Sequence, residues 1–91
     1  MKATKKPVTV DFIEWKGNNL YEVLLFMGSK SEILRMSWEN YVAMVKRVGL
    51  IIKTPEGQHV ASIGDMIIKG VKGEHYPCKP DIFALTYDVH E

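Results

Sequence analysis

The sequence predicts a small α+β domain: a mainly antiparallel β-sheet with one or two short helices packed on one face. Three observations carry this. Residues 8–15 alternate with a two-residue period and are rich in strand formers. Residues 19–28 read as a capped amphipathic helix, and from residue 49 onward glycine- and proline-bearing turns separate short β-prone runs. A chain of 91 residues has material for one core, so residues 1–91 are read as a single domain.

In strand one, Val8, Val10 and Phe12 alternate with Thr9, Asp11 and Ile13, and Trp15 ends it. Both faces carry apolar residues, which places the strand inside the sheet, or under a helix on one side and a partner on the other. Trp15 is expected to pack in the core. After the turn at Lys16, Gly17 and Asn18, Asn19 stands at a helix N-cap, with Glu22 three residues on to return a hydrogen bond. Leu20, Val23, Leu24 and Met27 form the apolar stripe, and Gly28 closes the helix. Residues 32–36 are compatible with a short strand. Residues 37–48 favour a second helix, with Ser37 as cap, Gly49 as stop and Trp38, Tyr41, Val42, Val45 and Val48 as its stripe; strand stays the alternative. Trp38 in that stripe is read as a core or subunit-contact residue.

The rest is strand and turn. Residues 50–54 and 58–63 flank the turn Pro55, Glu56, Gly57 as a hairpin, and Gly64 and Asp65 lead into a strand over 66–69. Gly70 and Gly73 bracket a reversal into 74–78. Pro80, at a favoured first helical position with Asp81 behind it, opens a short helical turn over 80–84 before a last strand over 85–89.

Composition narrows function. Twelve Lys and Arg against 11 Asp and Glu give a formal charge of +1, so no overall field draws the chain to nucleic acid or to an anionic membrane. No apolar run reaches the roughly 18 residues a span needs, and the lysine-rich start lacks an apolar signal core. One cysteine, Cys78, forms no internal disulfide, so a reducing cytoplasm is the expected location. A core this small makes burial in a homo-oligomer an expectation.

Residues 5–7, 8–15, 19–28, 51–57 and above all 64–87, GDMIIKGVKGEHYPCKPDIFALTY, carry a resemblance. Together they resemble a family of small proteins encoded by tailed phages and prophages. The likeness spans most of the chain outside 29–48 and is most specific in its C-terminal third. Met66 departs from the family pattern, where Trp or Tyr follows Gly-Asp, and so does Ile63, where Pro is common. The resemblance implies a phage setting, acting in the host bacterial cytoplasm, and no mechanism.

The same C-terminal run holds the candidate site. Lys69, Lys72, His75 and Lys79 lie close in sequence to Tyr76, and together they can hold an anionic, planar ligand by charge and stacking, with Glu74 and Asp81 orienting them or accepting from ligand donors. Backbone N–H groups near Gly70, Gly73 and the helix start after Lys79 can cradle phosphate. Turn and core requirements account for the same residues singly, and both readings stand at this stage. If the site is real, alanine at Lys72 or Lys79 weakens binding and leaves the melting temperature nearly unchanged.

No catalytic device has the right spacing. His75 and Cys78 supply two metal ligands where a zinc site wants four, and Cys78 between Pro77 and Lys79 reads as a small buried side chain. Phosphate-loop and dinucleotide fingerprints are missing, so neither cofactor nor metal is expected. The expected function is therefore non-catalytic: binding a host factor, most concretely sequestering a small anionic, nucleotide-like signal of a bacterial anti-phage pathway. The alternative is an interaction module that inhibits a host protein or supports phage replication or assembly.

Overall fold

The computed structural model describes residues 1–4, 7–28 and 37–90. Among them the order is β1 (Asp11–Glu14), α1 (Leu20–Met27), α2 (Trp38–Val48), β2 (Leu50–Thr54), β3 (Gly57–Ala61), β4 (Met66–Lys69), β5 (His75–Cys78) and α3 (Pro80–Thr86). All strand pairs are antiparallel, as the α+β class requires. The short strand predicted over 32–36 lies outside the described residues.

Strand one is shorter than its alternating pattern. Asp11 pairs with Lys69, the last residue of β4, and the chain then turns away at Gly70, so residues 8–10 face no partner strand. At its other end β1 is anchored by Trp15, whose N–H donates to the Asp65 carbonyl at 2.9 Å and whose carbonyl accepts from the Gly64 N–H at 2.7 Å. Trp15 is buried, as expected.

Helix α1 forms where the stripe demands and buries Leu20, Val23 and Leu24. Gly28 ends it in the left-handed region, at φ 68°, where a Cβ is unfavourable. The predicted capping box is not made. Asn19 instead accepts from the Lys16 N–H and donates to the Glu14 carbonyl, each at 2.9 Å, so its side chain ties the loop to β1 and not the helix end. Residues 38–48 are helical, which closes the strand alternative. The Asn40 N–H donates to Ser37 Oγ at 3.2 Å, and Gly49 stops the helix at φ 92°.

The sheet differs from expectation in being two sheets. One has the order β1-β4-β5, and β2-β3 is a separate hairpin packed over β5. Pro77 gives the reason: it has no N–H to donate and makes β5 an edge strand, so the hairpin packs on the sheet without extending its ladder. The hairpin register, Leu50 opposite Ala61 through Thr54 opposite Gly57, turns Leu50, Ile52 and Ala61 inward.

A second correction concerns the C-terminus. Helix α3 runs through Thr86, and residues 87–90 form no strand. The Tyr87 N–H closes on the Phe83 carbonyl at 2.9 Å, and the two rings stack with centroids 5.1 Å apart. Spacing of four residues between Phe83 and Tyr87 is helical, and it outweighs the two-residue reading of 85–89. The described residues thus contain three helices, and they cover both faces of the sheet. On one face Ile67 joins Trp15, Leu20, Val23, Leu24, Tyr41, Val45, Leu50, Ile52 and Ala61 in the main core. On the other, Ile68 and Phe12 lie under α3, with the Phe12 and Phe83 rings 4.7 Å apart.

Candidate functional site

Strand geometry divides the C-terminal cluster. Successive residues of β5 point to opposite faces. His75, paired with Lys69, faces α1, and its ring meets Phe26 edge-on at 5.6 Å. Tyr76 faces α3 and is hydrogen-bonded to Tyr87. Lys69 and His75 are therefore brought together, and Tyr76 is not with them. His75 and Cys78, three residues apart on one strand, also point to opposite faces and cannot share a metal ion.

The remaining members are placed by turns. Lys72 lies exposed at the tip of the reversal, where its N–H donates to Glu74 Oε2 at 3.0 Å. The Gly70 N–H donates to the Glu74 carbonyl at 2.7 Å, and a Cβ on Gly70 would overlap the Glu74 carboxylate, so Glu74 is spent on folding the turn. Lys79 reaches back to the buried Asp65, with Nζ at 3.1 and 3.2 Å from its two oxygens. Asp65 also accepts from the Ser62 N–H at 2.9 Å. Asp81 is exposed in the first turn of α3. With Asp65 and Asp81 both bearing on this end of the helix, it disfavours an anion. The seven residues accordingly do not face one surface, and Lys79 has a structural partner that no sequence spacing announced.

Local environments set the ionisation of three of these groups. Burial, then the neighbouring Asp65 and Asp81, pushes the Cys78 thiol up and holds it protonated, opposite to what a nucleophile needs. Burial, then the Tyr87 hydrogen bond, pushes Tyr76 up to about 12 from 10.0. Burial, then the Lys69 charge, lowers His75 below 6.5, against smaller opposing contributions from the Phe26 backbone and Glu74.

These shifts give a pH prediction of defined sign. A depressed folded-state His75 favours protonation of the unfolded chain, so its stabilisation is complete above about pH 6.5 and is lost as pH falls below it. The raised Tyr76 contributes fully below pH 10 and loses its contribution between pH 10 and about 12. Melting temperature against pH checks both: His75→Gln should flatten the acid limb and Tyr76→Phe the alkaline one.

A concavity lies elsewhere. A groove of about 790 Å³ opens between the start of α1, one side of α2, and the end of the hairpin with its following turn. Tyr21 and Trp38, both substantially exposed, line it with rings edge-on at 6.0 Å. Glu22 and Lys46 are its charged lining, with Asn18 and Ser62 as polar groups, while Val48, Val60 and Ile63 form an exposed apolar rim. The sequence reading credited Trp38 to a core or subunit-contact stripe and left Tyr21 and Lys46 unassigned. An available signal was the placement of an aromatic in the first turn of each of two successive helices, beside the apolar stripe.

A smaller cavity of about 240 Å³ is bordered by His75, Met27, Met44 and Tyr41. The buried Nε2 of His75 has no hydrogen-bond partner among the described residues.

Comparison with protein-family models, curated proteins and solved structures finds no match for this chain.

Proposed function

We propose that the protein is a non-catalytic binder of phage or prophage origin that holds a small planar, anion-bearing molecule in the groove beside Tyr21 and Trp38. In the host cytoplasm it would sequester a nucleotide-like signal of a bacterial anti-phage pathway without turning it over. One observation carries the choice of site: two exposed aromatic rings and a lysine line a single groove of about 790 Å³, within the usual size of ligand sites. Trp38 and Tyr21 offer stacking faces, Lys46 a charge for phosphate, and Glu22 an acceptor for the amino or hydroxyl groups of such a ligand.

Thermal stability against a panel of nucleotides and cyclic nucleotides tests this. A ligand at about 100 times its dissociation constant adds roughly 2.7 kcal/mol. Trp38→Ala and Lys46→Glu are expected to abolish the shift, while Lys72→Ala, outside the groove, retains it. The absence of any shift in the unmodified protein removes the ligand reading. A second reading, an interaction module for a host or phage protein, draws on the exposed Val48, Val60 and Ile63, and co-purification from expressing cells tests it.

A further inference from the structure

Helix α3 carries a second apolar surface that the fold does not use. Phe83 and Tyr87 hold it to the sheet, and Ile82 and Leu85, three residues apart on the outward side, are exposed, with Val89 following. Leu85 is 89% exposed. Asp81 and Asp88 flank this surface.

We propose that the outward face of α3 docks against the rim of the groove of a second copy of the chain, where Val48, Val60 and Ile63 are exposed. Charge selects this occupant. The last turn of α2, beside that rim, carries Lys46 and Arg47, which complement Asp81 and Asp88. Two α3 helices packed on each other across a two-fold axis would instead oppose acid to acid, since Lys79 at that end is engaged with Asp65. The helix cannot reach its own groove, because Phe83 packs it on Phe12, on the sheet face turned away from α1. The contact is therefore heterologous: each copy gives a helix to one neighbour and a rim to another, and the assembly is a ring or an open chain. It uses the rim and not the Tyr21 and Trp38 rings, and shares only Lys46 with the proposed ligand, so Arg47 and the apolar rim carry the contact when that lysine is occupied.

Light scattering on the size-fractionated full chain tests this, with Leu85→Lys and Ile63→Lys as variants. Both positions are exposed, and circular dichroism checks that each variant keeps its fold. The unmodified chain is expected to be oligomeric. Each variant alone is expected to be monomeric, its dissociation constant raised by roughly 100-fold or more. An equimolar mixture should then recover a dimer of one copy of each, because the Ile63→Lys chain keeps an intact helix and the Leu85→Lys chain an intact rim. A monomeric unmodified chain overturns the proposal. So does an oligomer that Leu85→Lys dissolves and Ile63→Lys leaves intact, which would mean helix-to-helix pairing, and so does a mixture that stays monomeric.

Discussion

Replacing Phe83 with alanine is expected to destabilise the protein by about 3–5 kcal/mol, the usual range for emptying a buried phenylalanine site. Phe83 is buried, and its ring contacts Phe12 on one side and Tyr87 on the other. No other buried apolar residue of α3 shares the task of holding this helix to the sheet. A helix of seven residues has little stability of its own, so losing the anchor should release it as a unit. Against a total of about 5–15 kcal/mol, the substitution removes a large share, and a drop in melting temperature of more than about 12 °C should follow. Denaturant unfolding of the variant measures it directly. A loss within about 1 kcal/mol would mean that α3 is held by something other than this ring.

Lys79→Ala is the second large effect, and it reverses what its position in sequence suggests. The residue is half exposed, yet its ammonium is the charged partner of a carboxylate whose side chain is only 4% exposed. Among the described residues, removing it leaves the Asp65 side chain with the Ser62 N–H alone. Stranding one member of a buried pair typically costs about 3–5 kcal/mol, and because water already reaches Lys79 the expectation here is about 2–3 kcal/mol. Lys72→Ala, at an exposed turn tip, should change stability by less than about 0.5 kcal/mol. The two lysines, equivalent in the sequence reading, are thus expected to separate cleanly. A double-mutant cycle isolates the cause. In an Asp65→Asn background the cost of Lys79→Ala should largely vanish, since no buried charge is left to strand. Equal cost in both backgrounds would trace the loss to the lysine stem.

Much of the architecture was legible because local and tertiary demands agree. Ser37 and Gly49 bound α2 as a cap and a stop should, Gly28 ends α1, and Pro55 to Gly57 turn the hairpin. Where the reading failed, a longer-range demand decided. Strand β1 is cut short because β4 ends at Lys69, whatever the alternation of residues 8–10. Asn19 has the chemistry of a cap and spends it on the neighbouring loop. Leu85 and Val89 were read as strand on their own alternation, and the helical spacing of Phe83 and Tyr87 around them was passed over.

The site was less legible for the same reason. Proximity in sequence suggested that His75 and Tyr76 act together, yet adjacent residues on a strand are kept apart by the sheet itself. Lys79 resembles any solvated lysine until Asp65, fourteen positions earlier, is found buried beneath it. The groove is assembled from α1, α2 and the segment after β3, and its rings sit on helices whose stripes look like ordinary core.

That separation of His75 from Tyr76 makes the two halves of the molecule vulnerable to opposite chemistries. The imidazole sits beneath the first helix and the phenol beneath the last, and each resists taking or losing a proton where it lies. Mild acid should weaken the fold through the imidazole under the first helix, and strong alkali through the phenol under the last. Two neighbouring side chains thus serve as independent reporters, one for each side of a single strand.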